Sequence, residues 1–196
     1  HRTGFENYWG GKLGKNSHIE MVGACATIIW EEFVKKNKSR NISETNANLL
    51  YSAIASNTLN FKASVTTDRD KIAFKEITKL TNLPQNWVKT YFKDQDEETE
   101  KDIKNAIIND TKNIDPIIAQ LELWDSKKVI LKHLDEIENT LQTFKDPNWF
   151  LTSPSISDGK NYLFTKNPKM KELLEKIIDA KFEGDIGTTK KLWLRK

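Results

Sequence analysis

Ser56, Asn57 and Thr58 are the residues most suggestive of chemistry, because they follow an apolar helical segment and precede Lys62. A loop held by a helix that is anchored in a core has a fixed geometry, and such loops commonly carry functional groups. We therefore predict that the three polar side chains point outward and that Lys62 supplies positive charge. A plain helix C-cap is the alternative interpretation, because asparagine tolerates the left-handed conformation that ends helices.

Four further motifs accompany this loop in a fixed order. Glu-Met-Val-Gly-Ala-Cys-Ala-Thr-Ile occupies residues 20–28, Thr-Thr-Asp-Arg-Asp occupies 66–70, Asp-Thr-Lys occupies 110–112, and Arg-Lys occupies 195–196. With the loop at 56–62, these segments resemble the DHH phosphoesterase superfamily, specifically its manganese-dependent, family II inorganic pyrophosphatase branch. The resemblance extends over essentially the whole chain and corresponds to the C-terminal two thirds of such a protein.

The resemblance implies a metal site that includes the amino terminus. His1 and Arg2 resemble the tail of an Asp-His-His motif. Either His1 is the first histidine and Arg2 replaces the second, which we prefer, or His1 is the second histidine followed by a basic residue. The family carries aspartate where this chain has Asn57. The resemblance therefore implies His1 and Asn57 as metal ligands, His1, Arg2 and Asn57 as catalytic positions, and Mn²⁺, or else Mg²⁺ or Co²⁺, as the cofactor.

Asn57 places the activity in question. Paired divalent metals about 3.5 to 4 Å apart activate a water and neutralise charge on phosphoryl oxygens. A neutral amide offers one carbonyl oxygen and no negative charge, so a two-metal cluster at Asn57 would be weakened or rearranged. The alternative is that Asn57 only forms a hydrogen bond within its loop.

Cationic residues from the second half of the chain match the family's substrate-binding motifs. The resemblance implies that Lys112, Arg195 and Lys196 close over a phosphate held at the amino terminus. Arginine engages phosphate bidentately, whereas lysine supplies a compact charge. Lys62 is a further candidate for substrate binding, or it braces its own loop.

The resemblance implies a metal-dependent phosphohydrolase that acts on inorganic pyrophosphate or a short polyphosphate by means of a metal-activated water. The alternative, motivated by Asn57 and the altered His1-Arg2 motif, is a catalytically weak or inactive relative that binds phosphate compounds for regulation. The exonuclease branch of the superfamily requires a Gly-Gly-Gly-His motif, whereas here Gly10-Gly11 is followed by Lys12.

Composition is ordinary for a cytoplasmic globular protein. Of the 196 residues, 37% are hydrophobic and 30% are charged, and the net charge of +3 is too small to indicate nucleic acid binding. No apolar run reaches the roughly 18 residues of a membrane span, and the opening residues His-Arg-Thr-Gly-Phe lack the hydrophobic segment of a signal peptide, so we expect a cytoplasmic protein. The single cysteine, Cys25, excludes an intrachain disulfide, and we predict it to be a small buried residue. We expect a small phosphate-containing partner, and a homodimer remains open.

The fold class expected is α/β, with the tail of a parallel-sheet DHH domain followed by a smaller mixed-sheet α/β domain. Residues 1–92 are assigned to the DHH domain, whose N-terminal half is expected on the same chain or on a companion chain. The charged stretch 93–98 is predicted to be a linker, and residues 99–196 are assigned to the DHH-associated substrate-binding domain.

Local patterns predict the individual elements. Helices are expected at residues 21–36, 68–80, 102–109 and 126–144, with Ser43 capping another helix and Asn167 capping one that has Pro168 at its first position. A capping box is predicted from Thr67 and Asp70. Strands are expected at 117–123, 149–153, 162–165 and 191–195.

Overall fold

The chain forms two compact units, His1–Val88 and Lys89–Lys196. The described part of the first unit is built of helices. The computed structural model describes residues 11–14, 18–37, 41–112 and 114–192. Within these ranges the first unit contains four helices and a 3-10 turn: α1 (Gly11–Leu13), α2 (Cys25–Lys35), α3 (Glu44–Asn57), α4 (Asp68–Ile77) and the turn Thr78–Leu80.

Polar side chains start two of these helices, as predicted. Ser43 caps α3, since its hydroxyl accepts a hydrogen bond from the amide of Asn46 at 3.2 Å. Thr67 and Asp70 form a reciprocal capping box at the start of α4. Each cap satisfies backbone amides that have no partner within the helix, and a cap of this kind contributes about 1 kcal/mol.

An apolar core joins α2, α3 and α4. Ile54 and Ile77 are fully buried, and Trp30 is buried on α2. The ring of Tyr51 stacks on that of Phe74 with 4.1 Å between the ring centroids. These contacts fix the carboxyl end of α3, which bears the predicted functional loop.

The second unit alternates helices and strands. In chain order its elements are α5 (Trp87–Lys101, which begins two residues before the unit boundary), α6 (Ile103–Asn109), β1 (Thr111–Lys112), β2 (Ile117–Gln120), α7 (Ser126–Lys132), α8 (Leu134–Gln142), β3 (Trp149–Ser155), β4 (Lys160–Phe164), α9 (Pro168–Ile178), β5 (Lys181–Glu183) and β6 (Ile186–Thr189).

The strands form one mixed sheet in the order β1-β2-β3-β4-β6-β5. β2 and β3 pair in parallel, and every other neighbouring pair is antiparallel. Because β6 is antiparallel to β4 and β4 is antiparallel to β3, the strands β2, β3 and β6 all run in one direction. The predicted α/β class with a mixed sheet is confirmed.

Helices cover the two faces of this sheet unequally. On one face, residues such as Ile107, Ile130 and Leu141 from α6, α7 and α8 pack against Leu151 and Phe164 of the central strands. On the other face, Leu174 of α9 packs with Phe150 and Leu163. We call these the α7 face and the α9 face.

The stretch 93–98, predicted to be a linker between domains, is helical and lies inside α5. Val88, Phe92 and Asp96 are buried at a spacing of four residues, so one side of the helix packs while the charged residues between them face outward. Composition alone indicated a linker because most of the exposed side chains in this stretch are charged.

Three other expectations also required correction. The helix expected at 126–144 is broken at His133, whose backbone leaves the helical conformation at φ −114° and ψ 23°. Cys25 is exposed rather than buried, because α2 packs through the residues that follow it. Of the strand expected at 191–195, Lys191 and Leu192 lie outside the strands and residues 193–195 lie outside the described ranges, while the unpredicted strands β6 and β5 complete the sheet, with β5 at its edge.

The remaining predicted elements are present in the structure, with ends that differ by up to four residues. The strands expected at 149–153 and 162–165 overlap β3 and β4. Asn167 caps α9, its side chain accepting from the amide of Lys169 at 2.9 Å, and Pro168 occupies the first turn. Across the ranges described, none of the helices has the length and apolar character that a membrane crossing requires.

Candidate functional site

The loop after α3 is a closed turn with an unusual backbone. Leu59, Asn60 and Phe61 have φ values of 48°, 52° and 64°, a left-handed run in which asparagine is common and the other two are not. All six backbone amides from residue 58 to residue 63 donate to oxygens of residues 54–59. Leu59 is buried, and the ring centroid of Phe61 lies 4.8 Å from that of Phe74. The surrounding packing therefore holds a conformation that costs about 1 to 3 kcal/mol per strained residue.

Two of the sequence-predicted residues lie at the exposed rim of this loop. Asn57 is the last residue of α3, and its Nδ2 donates to the carbonyl oxygen of Ala53 at 2.9 Å. Lys62 is also exposed. Thr58 contradicts the expectation of an outward hydroxyl, since it is fully buried and its Oγ1 donates to Ile54 at 2.7 Å.

Asp70 is a buried carboxylate that joins the two motifs at residues 20–28 and 66–70. Its Oδ1 accepts from the amide of Ala24 at 3.1 Å and from the hydroxyl of Thr27 at 2.6 Å. Its Oδ2 accepts from the amide of Gly23 at 2.9 Å and from both the amide and the hydroxyl of Thr67 at 2.7 Å. Burial acts to raise the pKa of Asp70, but these hydrogen bonds outweigh burial and the net pKa is lowered.

Gly23 explains why the two motifs approach so closely. A Cβ atom added at Gly23 would lie 2.9 Å from Asp70 Oδ2 and 2.9 Å from Thr58 Cγ2. The glycine thus allows the segment before α2 to contact both the start of α4 and the loop after α3. Two sequence motifs and the predicted functional loop meet at this residue.

A charged cluster that the sequence did not predict lies beside this junction. Arg69 forms a bidentate pair with Glu31, at 2.8 Å from Nε and 2.5 Å from Nη2, and its Nη1 lies 2.5 Å from Glu20. Glu20 also pairs with His18. The hydrogen bond from His18, followed by that from Arg69, lowers the pKa of Glu20 to about 2. Hydrogen bonds to Glu31 contribute most to the raised pKa of Arg69.

In the second unit, the strands β2, β3 and β6 end at one edge of the sheet, which we call the carboxyl edge. Open α/β sheets generally bind ligands beyond the carboxyl ends of their strands. The Asp-Thr-Lys motif enters β1 from this edge, where the amide of Gln120 donates to the carbonyl oxygen of Asp110 at 3.1 Å. Lys112 lies directly opposite Ile118, which packs on the α9 face.

Buried polar side chains on neighbouring strands lie next to one another across the sheet. Gln120 pairs in register with Thr152, and Asn161 pairs with Thr189. All four are buried, and Asn161 Nδ2 donates to Thr152 Oγ1 at 2.6 Å. Because side chains alternate along a strand, Gln120 and Thr152 share the α9 face with Lys112. The carboxyl edge on that face is therefore the candidate binding region of the second unit.

His1, Arg2, Arg195 and Lys196 lie outside the described residues, so their predicted roles remain predictions. Within the described ranges, no group of three or more His, Cys, Asp and Glu side chains could hold a metal ion. Asn57 offers at most one neutral oxygen, whereas manganese favours carboxylate and similar oxygen ligands. The described residues do not by themselves fit Mn²⁺, and no reaction step is assigned to a bound metal.

Comparison with known proteins shows which class of protein this chain resembles. No protein-family profile matches it. It is 27% identical over 189 residues to the "Manganese-dependent inorganic pyrophosphatase" of Methanothrix thermoacetophila, covering 91% of this chain and 60% of that protein. It is 28% identical over 185 residues to the protein of the same name from Methanocaldococcus jannaschii, covering 86% of this chain and 59% of that protein.

A solved structure shows the fold. The crystal structure of a putative family II inorganic pyrophosphatase from Methanococcus jannaschii matches with a TM-score of 0.69 and 24% identity, covering 91% of this chain and 63% of that one. The chain thus spans about 60% of the length of the curated relatives that it matches. The predicted resemblance to family II manganese-dependent inorganic pyrophosphatases is confirmed.

Proposed function

We propose that the complete protein containing this chain hydrolyses inorganic pyrophosphate or a short polyphosphate, with Mn²⁺ as cofactor and Mg²⁺ or Co²⁺ as substitutes. The observation that carries the proposal is the similarity over 189 residues to a relative named as a manganese-dependent inorganic pyrophosphatase. Nearly the whole chain takes part in this similarity, so it involves both compact units.

Phosphate binding is proposed for the cations of the matching motifs. Lys112 lies on the α9 face of β1, in the motif that enters from the carboxyl edge, and its ammonium group is a compact charge suited to a phosphoryl oxygen. Arg195 and Lys196 are proposed to bind the same anion, and Lys62 is a further candidate. We also propose catalytic roles for His1, Arg2 and Asn57.

A second function, the alternative of a phosphate-binding relative, is motivated by Asn57. Its Nδ2 donates to Ala53, so the side chain is already engaged within its own helix. The remaining amide oxygen carries no negative charge to offset that of paired divalent cations. We accordingly keep as the alternative a weakly active or inactive relative that binds phosphate compounds for regulation.

Phosphate release from pyrophosphate by the complete protein, with and without Mn²⁺, tests the hydrolase proposal. Lys112→Gln should lower kcat/KM by about 10- to 150-fold, because one charged hydrogen bond contributes about 1.5 to 3 kcal/mol. Lys104→Gln, an exposed lysine of α6, is the matched control and should retain full activity. A wild-type protein that releases no phosphate with any of the three metals refutes hydrolysis.

Asn57→Asp separates the two functions. If the wild type is inert and this variant gains manganese-dependent activity, the regulatory alternative is favoured over the enzyme. Thermal unfolding with and without Mn²⁺ gives a second readout, since a metal that binds only the folded state stabilises it. Asn109→Asp also places a carboxylate at the last residue of a helix, α6, and should show no added stabilisation by manganese.

A further inference from the structure

A cavity of about 380 Å³ opens on the α7 face of the second unit. Its walls are α7 on one side and the strands β4, β6 and β5 on the other. The volume is at the lower end of the range typical of small-molecule sites. Neither the resemblance nor the comparisons assign a role to this cavity.

Strand register explains why cations converge there. Tyr162 pairs with Thr188, and Thr188 pairs in turn with Lys181, so the three side chains project from the same face. Lys160 precedes Tyr162 by two residues and shares that face. Lys127 reaches the cavity from α7. Three lysines thus line the cavity, against one lining carboxylate, that of Glu183.

These three lysines differ from several of their neighbours. Lys132, Lys166, Lys171 and Lys176 each pair with a carboxylate. Within the part of the chain that the structure describes, none of Lys127, Lys160 and Lys181 has an acidic partner within the 4.0 Å ion-pair distance. Like charges around one cavity repel each other, and a bound anion would relieve that repulsion.

The rest of the cavity lining is largely apolar. Leu131 and Ile186 contribute the accessible aliphatic surface, with Leu131 53% exposed, and Ile130 is buried behind them. Tyr162 donates its hydroxyl to Asp158 Oδ2 at 2.8 Å, which fixes its ring in the wall. Inorganic phosphate would leave this apolar surface in contact with water, whereas a ligand with a flat apolar group would cover it.

We propose that this cavity binds a nucleoside phosphate, with its phosphoryl group near the three lysines and its base against the apolar wall. The cavity lies on the α7 face, whereas Lys112 lies on the α9 face. The cavity and Lys112 therefore belong to two different sites. Nucleoside phosphate binding at this cavity does not require that the protein hydrolyse pyrophosphate, and it is tested separately.

Isothermal titration of the complete protein with AMP tests the proposal, with adenosine and inorganic phosphate as separate ligands. AMP should bind at least tenfold more tightly than either part alone. Lys160→Gln and Lys181→Gln should each weaken AMP binding by about tenfold, which corresponds to about 1.4 kcal/mol. Glu183→Gln should strengthen AMP binding, an effect that a general loss of folding does not produce.

Two matched variants locate the site. Lys169→Gln replaces an exposed lysine of α9 and should leave AMP affinity unchanged; Lys112→Gln removes the lysine of the proposed pyrophosphate site and should leave in place the AMP binding that depends on Lys160 and Lys181. The proposal is overturned if AMP shows no binding at millimolar concentration. It is equally overturned if Lys112→Gln abolishes binding while Lys160→Gln does not, or if phosphate binds to the Lys112→Gln variant as tightly as AMP does.

Discussion

Replacing Asp70 by asparagine isolates the contribution of a buried carboxylate that joins two helix starts. The carboxylate accepts five hydrogen bonds, of which three come from backbone amides and two from hydroxyl groups. An asparagine must place an NH₂ group where one of the two oxygens was. The threonine hydroxyls can rotate and accept from this group, but a backbone amide cannot.

The least costly orientation of the new side chain places the NH₂ at the position of Oδ1. It then opposes only the amide of Ala24, whereas at Oδ2 it would oppose the amides of Gly23 and Thr67. A lost hydrogen bond to a charged group costs about 1.5 to 3 kcal/mol, and the remaining bonds weaken with the loss of charge. We expect Asp70→Asn to lower the free energy of unfolding by about 2 to 4 kcal/mol at pH 7.

Urea unfolding of the complete protein, together with hydrogen exchange at the amides of Gly23 and Ala24, measures this effect. The matched control is Asp68→Asn, since Asp68 is also in the first turn of α4 but its side chain is 90% exposed and pairs with the exposed Lys71. Its change should stay within about 0.5 kcal/mol. Equal effects of the two variants, with unchanged protection at residue 23, would refute the assigned role.

The pH dependence has a definite sign. Because the folded-state pKa of Asp70 is lowered, its contribution is complete above the ordinary aspartate pKa of about 3.9 and is lost as pH falls through the lower folded value. The stability difference between wild type and Asp70→Asn should therefore be constant near neutral pH and shrink toward pH 2.

Three further predictions concern other sites. Gly23→Ala should destabilise the protein by about 1 to 3 kcal/mol in thermal or urea unfolding, because its Cβ would lie 2.9 Å from Asp70 Oδ2. In a carboxyl-carbon NMR titration, Asp96 should titrate above pH 3.9, since burial raises its pKa more than its hydrogen bonds to two backbone amides lower it. Ultraviolet difference titration against Tyr162→Phe should place the Tyr162 pKa near 12, raised first by burial and then by the hydrogen bond to Asp158, and Asp158→Asn should lower it.

Local signals in the sequence predicted the helix starts well. A cap depends on residues within one turn, so Ser43, the Thr67 and Asp70 pair, and Asn167 were all identifiable from spacing. The same spacing gave no indication that Asp70 also binds amides 46 and 47 residues earlier in the chain. Long-range partners of this kind leave no periodic pattern in a single sequence.

Tertiary packing explains the remaining differences. Ile130 and Ile137 lie in two separate helices but pack into the same core. The helical spacing of apolar residues therefore continues across the break at His133. β5 and β6 are short strands on either side of Gly184, whose φ is 64°, and strands of three and four residues carry too little alternation to be identified from sequence. Similarly, the motif match singled out Lys112 but not the buried polar side chains that share its face.

The left-handed turn after α3 has a thermodynamic consequence for any ligand at its rim. Its amides are satisfied internally, and Leu59 and Phe61 are packed into the surrounding structure. A molecule that approaches Asn57 or Lys62 therefore meets a backbone that is already ordered, and little conformational entropy is left to lose on association. Recognition at this rim is limited by the chemistry of the two side chains rather than by loop rearrangement.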